Sequence, residues 1–330
     1  MSNLSEYPGE IFRQCDLLNI INSSDLQIAK CNLSILIGVW AAYLLPLFGV
    51  ICMISNLTIG ILIIAKANRV PGQMIWICGI CLSNVVVDIM FIWLWQFPSK
   101  GLPYASNQGI FFSIAYVSSD TCRLFYYVYS YSSTLMCNMR VCSSLNRCLA
   151  VYMPSKYKSF PIRYRWYIFI SIVIITGLLM IPFGTTTGWF TLGPTIRCWM
   201  NPNDVNIHFL QTLLSNLGPI QTVIVIILDI IFLFKVHKYL KKQINVSLTS
   251  IERSQLNTSI LLLLSSISFI CISLPQAVLS IITRLGVYSK EDVYMEKGHT
   301  LYNCNVMFVL MISHFTEESA YCGLGNIQTT

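Results

Sequence analysis

Long apolar runs without charged residues constrain this chain more than any other feature. One lies between Lys30 and Lys66, and another lies between Arg253 and Arg284. A helix of roughly 20 apolar residues crosses a bilayer core about 30 Å thick, and each run exceeds that length. Charged residues make up 11% of the chain, whereas about a quarter is usual for a soluble domain. The apolar surface is therefore expected to face lipid, and a soluble globule is excluded.

The alternation of apolar runs with breaks predicts seven membrane-spanning helices in one all-α bundle. The predicted spans are 36–65, 74–95, 110–152, 167–183, 209–234, 257–282 and 300–315. Hydropathy alone supports the third span poorly, because four charged residues interrupt or bound it, and the seventh span is short. The predicted organisation is an extracellular segment at 1–34, a transmembrane domain at 35–315 and a short atypical tail at 316–330.

Basic residues in the loops predict the orientation of the bundle. With the amino terminus outside, the predicted inner loops hold twelve Lys and Arg and the outer segments hold seven, as the positive-inside rule requires. The net charge of +7 is then mainly a sign of topology, with some attraction to anionic inner-leaflet lipid. No nucleic-acid partner is implied. The sequons at Asn3, Asn22 and Asn32 lie in the predicted extracellular segment and are candidate glycosylation sites.

A motif around Arg147 ends the predicted third helix. From Asn146 to Tyr157 the sequence reads NRCLAVYMPSKY. It resembles the [DE]R[YFHC]xAIxxPxxY signature of rhodopsin-like G-protein-coupled receptors, with Pro154 and Tyr157 at matching positions. The resemblance implies that Arg147 contacts the inner ends of other helices at rest and receives the G-protein tail when they part. The alternative is an interfacial cation that follows the positive-inside bias.

Two departures and one agreement accompany this motif. Asn146 replaces the usual acidic residue, so the local ion pair of the family cannot form. Cys122 lies twenty-five residues before Arg147, where those receptors carry a cysteine that joins the second extracellular loop. The resemblance implies a disulfide between Cys122 and Cys198. The predicted seventh helix lacks the NPxxY motif, which puts coupling in doubt.

Ionisable side chains within the predicted spans cost about 2.5–3.5 kcal/mol each and usually face the bundle interior. Asn56 and Asp88 look like the Asn and Asp that rhodopsin-like receptors carry in their first two helices. Arg140 precedes Arg147 by two turns on one face, and we hypothesise that it pairs with Asp88, since either charge alone would be uncompensated. The alternative is that either residue borders water. Asp229 is expected to meet Lys235, His237 or interfacial water.

The predicted fifth and sixth helices contain the remaining switch candidates. Pro219 and Pro275 each remove a backbone donor and favour a kink. Phe269 lies six residues before Pro275, as an aromatic residue does in rhodopsin-like receptors. The Trp that usually lies two residues before this proline is absent, so the hinge is expected without its usual toggle.

The upper part of the third helix is expected to select the ligand. Tyr129 stands where amine receptors carry an Asp, so a protonated amine is disfavoured. Aromatic walls with few neutral polar groups suit a small, mostly apolar organic molecule. The candidate pocket residues are Trp93, Phe125, Tyr126, Tyr129, Ser133, Gln211, Gln276 and Tyr302, and Trp95 is, like Trp93, a residue of the second helix that is expected to face the third. The alternative for these aromatic residues is packing or an interfacial belt.

Over residues 35–312 the chain resembles the nematode serpentine chemoreceptors of the Srg superfamily, with class V preferred and classes U, X and G open. The segment from Met139 to Arg147, with an Arg seven residues before a Leu-x-Arg, carries this likeness together with Pro154 and Tyr157. It implies a chemosensory receptor in the plasma membrane of a sensory neuron or cilium. Such a receptor binds a small molecule and signals through a heterotrimeric G protein.

Two other classes of function stay open on the sequence. A channel or transporter would use Asp88 and Arg140 for permeation or coupling, although no inverted repeat is visible. The short predicted seventh helix suggests a membrane scaffold or pseudo-receptor that does not signal. An enzyme is not expected, because the four His have no metal-binding spacing and no Gly-rich phosphate loop is present. Neither a cofactor nor a metal is expected.

Overall fold

The computed structural model describes residues 35–36, 38–65, 74–107, 109–192, 195–200 and 217–242. Five long helices, α1 to α5, contain most of them. Their bounds are Leu45–Ala65, Met74–Asp88, Ser119–Tyr152, Ile162–Thr186 and Leu217–Lys242. Shorter helices flank them, namely the π-helices Trp40–Leu44 and Ile89–Gly101, the α-helices Leu102–Ala105 and Pro154–Ser159, and the 3₁₀ turn Ile114–Tyr116. Strands β1 (Thr187–Leu192) and β2 (Thr195–Met200) form an antiparallel hairpin after α4.

Three helical stretches within the described residues are long and apolar enough to cross a membrane. They are Trp40–Ala65, Met74–Ala105 and Ile162–Thr186. These stretches coincide with the first, second and fourth predicted spans, so the chain is a predominantly helical membrane protein, as predicted. The sixth and seventh predicted spans and the segment 1–34 lie outside the described residues.

Two helix boundaries differ from the sequence prediction. The second helix continues beyond residue 95 as the π-helix Ile89–Gly101, although Pro98 lies inside it and proline usually ends an α-helix. The helix α3 begins at Ser119 and not at residue 110, because Ser118 caps it. The Thr121 amide donates to the Ser118 hydroxyl over 3.1 Å, a bond that satisfies one of the free donors at a helix start.

The described residues divide into two compact units. Unit 1 takes its members from 1–59, 81–136 and 172–216, and unit 2 takes its members from 60–80, 137–171 and 217–330. Helices α1 to α4 each contribute residues to both units.

In unit 1, the two π-helices approach each other closely through a glycine. A Cβ atom added to Gly101 would clash with the backbone oxygen of Ala41 and lie 2.9 Å from the backbone nitrogen of Ala42. The edge of the Tyr43 ring meets Tyr104, with ring centroids 6.5 Å apart. Small residues allow two helix backbones to come this close. In a membrane such close packing favours helix association, because leaving lipid for another helix brings no hydrophobic gain.

In unit 2, a glycine again lies where helices cross. A Cβ atom at Gly79 would lie 2.6 Å from the Phe169 ring and 2.9 Å from the Met139 side chain. Gly79 therefore brings α2 against α3 and α4. The Cys78 thiol donates to the Gly60 carbonyl over 3.8 Å, which adds a polar contact from α2 to α1.

Candidate functional site

Arg147 is the largest of the fully buried side chains among the described residues, with 1% of its surface exposed. Its Nη2 donates to Asp229 Oδ1 over 2.9 Å and to the Ser144 hydroxyl over 2.7 Å. Its guanidinium carbon lies 5.9 Å from the centre of the Phe232 ring. The carboxylate partner of Arg147 is thus supplied by α5.

This pairing corrects the sequence expectation for Asp229. That carboxylate is expected from the sequence to meet Lys235, His237 or water, but its side chain is 4% exposed and it accepts a bond from Arg147 on α3. The nearby Lys235 instead places its ammonium 4.8 Å from the centre of the Tyr152 ring. Eighty-two residues separate the two members of the pair, so no local spacing rule could have joined them.

Several contacts hold α3 and α5 together around this ion pair. The Cys148 thiol donates to the Leu228 carbonyl over 3.2 Å, and the Tyr152 hydroxyl donates to the Ile231 carbonyl over 3.3 Å. Phe232 is fully buried against Cys148. Burial in an apolar, low-dielectric setting strengthens the attraction between the charges but also raises the cost of leaving either charge alone.

Tyr157 organises the segment that follows α3. Its hydroxyl accepts a bond from Arg165 Nη1 over 2.8 Å and one from Asn146 Nδ2 over 3.3 Å. Arg165 Nη2 also donates to the Tyr157 carbonyl over 3.1 Å, and the guanidinium carbon lies 4.2 Å from the ring centre. Asn146, which stands where the family motif has an acid, therefore bonds the motif tyrosine. Pro154 occupies the first turn of the short helix, where a missing N–H is tolerated.

An aromatic cluster occupies unit 1 between the second helical stretch and α3. The Phe125 and Tyr129 rings are stacked with centroids 6.2 Å apart. Trp95 meets both rings edge-on at 6.3 and 6.0 Å, and Phe91 lies 6.4 Å from Tyr129. Tyr126 meets the Phe125 ring edge-on at 5.8 Å. The structure thus brings three candidate pocket residues of α3 together with Trp95.

The sequence analysis did not identify one member of this cluster, Phe91. It also named Trp93, which the structure describes in a different place. Phe91, four residues before Trp95, has 1% of its surface exposed, and its helical spacing to Trp95 could have identified it. Trp93 lies against α1, where its Nε1 is 3.5 Å from the position of a Cβ on Gly49, and its ring contacts Phe97. Ser133 is half-buried on α3.

The hairpin is fastened to the beginning of α3. A disulfide joins Cys122 to Cys198 on β2, as predicted, with Cα atoms 5.9 Å apart. Arg123 Nε donates to the Thr187 carbonyl over 3.1 Å, and Trp189 Nε1 donates to the Ala115 carbonyl over 3.1 Å. Covalent and hydrogen bonds therefore hold both strands.

The polar residues predicted to form a switch are buried. Asp88 has no exposed surface, and 8% of Arg140 is exposed. Asn84 Nδ2 donates to Asn56 Oδ1 over 3.4 Å, and Asn56 Nδ2 donates to the Cys52 carbonyl over 2.9 Å. Burial agrees with interior-facing positions for these residues, and the pairing of Asp88 with Arg140 stays a prediction.

Other predicted residues have few described contacts or none. Pro219 lies in the first turn of α5 as it is described, which does not test the predicted kink. Among the described residues no group of three or more His, Cys, Asp or Glu could hold a metal ion. The candidates outside the described residues are Asn3, Asn22, Asn32, Gln211, Phe269, Pro275, Gln276 and Tyr302.

Comparison with known proteins does not assign the chain to a family. No protein-family model matches the chain, and no curated protein matches it. The resemblance to serpentine receptors rests on the motif residues alone.

Proposed function

We propose that this protein is a seven-helix, G-protein-coupled chemosensory receptor of the serpentine type in the plasma membrane. The observation that carries the proposal is the burial of Arg147 against Asp229. Arg147, the arginine of the R-x-x-A-V-x-x-P-x-x-Y motif, is not an interfacial side chain, because only 1% of its surface is exposed. An interfacial cation would extend into water, as long basic side chains do. This burial favours the receptor interpretation of the motif.

The proposed ligand site is the aromatic cluster of Phe91, Trp95, Phe125, Tyr126 and Tyr129. Phe91 and Phe125 are buried, with 1% and 6% of their surfaces exposed, and their phenyl rings make this part of the site apolar. The hydroxyls of the two tyrosines supply the few polar groups. Such a site suits a small, mostly apolar organic molecule with one or two hydrogen-bonding groups.

The proposed mechanism is a shift between two helix arrangements with different ligand affinity. In the resting arrangement Asp229 holds Arg147 on α3, which replaces the local acid that Asn146 cannot provide. A hydrogen bond to a charged group contributes about 1.5–3 kcal/mol. Loss of that bond alone would change the ratio of the two states by about 10- to 150-fold, a range that ligand binding can supply.

The test is basal recruitment of a heterotrimeric G protein in cells that express the full chain. Asp229→Asn removes the charge but keeps a hydrogen-bonding side chain, and we expect it to raise ligand-free recruitment at least tenfold. Arg147→Ala should abolish recruitment. Asp120→Asn is the matched control, because its exposed carboxylate pairs with Arg123 at 3.2 Å and lies outside this cluster.

Three outcomes would contradict the proposal. Normal surface expression with no recruitment by any variant, with or without ligand, would indicate a non-signalling membrane protein. A ligand-evoked current without a G protein would indicate a channel. A carboxyl-terminal tag that is accessible in intact cells would leave an even number of spans, and the seven-helix architecture would be wrong.

A further inference from the structure

An exposed surface lies where the chain passes from the segment after α3 into α4. We call it the loop surface, and its members are Met153, Lys156, Phe160, Arg163, Tyr164 and Tyr167. Tyr164 and Tyr167 each have 58% of their surface exposed. From residue 153 to 168 the sequence contains four basic residues and no acidic residue. The loop surface is therefore both basic and aromatic.

The aromatic residues of the loop surface form a continuous row at the beginning of a candidate span. The Phe160 and Tyr164 ring centroids are 6.0 Å apart, and those of Tyr164 and Tyr167 are 6.3 Å apart. Further along α4 most of the exposed side chains are aliphatic, as at Ile168 and Ile175. Tyrosine followed by aliphatic residues marks the passage from the headgroup region to the hydrocarbon core.

The basic residues near this row differ in what they contact. Arg165 is 6% exposed and is used within the protein, where it binds Tyr157. Lys156 and Arg163 are exposed, and within the described residues neither forms an ion pair. The buried arginine therefore holds the segment in place, while two cations beside the aromatic row extend outward.

We propose that the loop surface binds the phosphate group of an anionic phospholipid at the bilayer surface. The guanidinium of Arg163 has the planar donor geometry that matches phosphate oxygens, and Lys156 supplies a second positive charge. The rings of Tyr164 and Tyr167 lie at headgroup depth, where such a phosphate is found. This inference does not depend on ligand binding or on G-protein coupling.

The test measures lipid enrichment around the purified full chain. The chain is reconstituted in mixed vesicles of phosphatidylserine and phosphatidylcholine, and the ratio of the two lipids that co-purify after mild detergent extraction is determined. We expect phosphatidylserine to be enriched over the starting mixture. Each neutralised charge in Lys156→Gln and Arg163→Gln should lower the enrichment about fivefold, since one basic residue near the membrane contributes about 1 kcal/mol.

Controls separate charge from position. Arg123→Gln removes an exposed arginine of unit 1 that already pairs with Asp120, and it should leave the enrichment unchanged. Lys156→Arg combined with Arg163→Lys keeps both charges and should retain most of the enrichment. If the neutral double variant, Lys156→Gln with Arg163→Gln, is not monodisperse, a salt titration of the unchanged protein replaces it, because screening weakens exposed charge contacts.

Several results would overturn the lipid proposal. These are undiminished enrichment in the neutral double variant, an equal loss in Arg123→Gln, or enrichment that does not change with salt. A double variant that keeps its lipids but loses binding to a purified Gα subunit would identify the loop surface as a protein contact instead. The lipid-enrichment results do not depend on G-protein recruitment, so a failure of the lipid proposal is distinguishable from a failure of the Asp229→Asn test.

Discussion

The two ends of α3 use different chemistry to contact their neighbours. Between Phe125 and Tyr131 the contacts described are mainly between rings, as in the stack of Phe125 on Tyr129. Between Asn138 and Arg147 they are hydrogen bonds and charges, as in the 2.6 Å bond from Gln221 to Asn138 and the pair with Asp229. One helix therefore carries an adaptable aromatic end and an end with discrete polar partners.

The difference has an energetic meaning. A ring pair contributes about 0.5–1.5 kcal/mol beyond its buried area and tolerates small shifts in geometry. A buried ion pair loses about 3–5 kcal/mol when one partner is removed, because the other charge stays buried. An aromatic end can accept varied contacts, whereas a charged end favours distinct states.

The largest expected effect is at the charged end. Asp229→Ala leaves Arg147 buried without its described anion and should lower the free energy of unfolding by about 3–5 kcal/mol. The double variant Arg147→Met with Asp229→Leu should recover most of this loss, because it removes both charges. Titration with a denaturing detergent measures both values. A double variant as unstable as Asp229→Ala would show that the pairing is not the source of the effect.

Next in size is the loss of the Tyr157 hydroxyl. Tyr157→Phe keeps the ring beneath Arg165 but removes the acceptor of two bonds, and the segment 154–159 should be destabilised by about 1.5–3 kcal/mol. Faster hydrogen exchange in this segment would report the change. Tyr164→Phe, at an exposed ring without a described hydroxyl bond, is the matched control and should have no effect there.

A comparison of glycines tests packing in the two units. Gly101→Ala in unit 1 forces a methyl group against the backbone of Ala41, which cannot move aside as a side chain can, and should cost at least about 1–3 kcal/mol. Gly218→Ala in unit 2 has no described atom within 4 Å and should stabilise α5 by up to about 1 kcal/mol. Thermal unfolding of both variants checks this difference. Equal melting temperatures would mean that the π-helices do not pack as described.

The smallest expected effect is at the aromatic end. Phe125→Leu keeps an apolar side chain but removes the ring contacts with Trp95, Tyr126 and Tyr129, and because neighbouring rings tolerate small shifts it should cost about 0.5–1.5 kcal/mol in total. Leu124→Ala, at a neighbouring side chain with 62% of its surface exposed, should change stability by less than about 0.5 kcal/mol. Detergent titration again distinguishes the two. Similar losses of stability in both variants would show that the aromatic cluster contributes no more than an exposed side chain.

Sequence reasoning succeeded where the determining interactions are local or follow a spacing. The apolar runs located α1, α2 and α4, since span length depends only on composition and bilayer thickness. The resemblance supplied the bridge between Cys122 and Cys198. Even the later start of α3 had a local signal, because Ser118 is a preferred capping residue.

Sequence reasoning failed where distant segments meet. Nothing near Asp229 in the chain points to Arg147, because their contact depends on how α3 and α5 pack. The π-helical continuation of the second helix through Pro98 also escaped, since proline ordinarily signals an end. The sequence could not show which of Trp93 and Trp95 contacts α3, because the geometry of the π-helix decides which side chain faces that helix.

The disulfide between Cys122 and Cys198 also determines whether the products of protease cleavage separate. Lys156 and Arg163 are exposed and lie between Cys122 and Cys198, which are 76 residues apart. A chain cut after either residue would remain one covalent molecule, with its two pieces joined through sulfur. It would migrate as full-length protein until a reductant is added. Nicked material would therefore escape detection on a non-reducing gel.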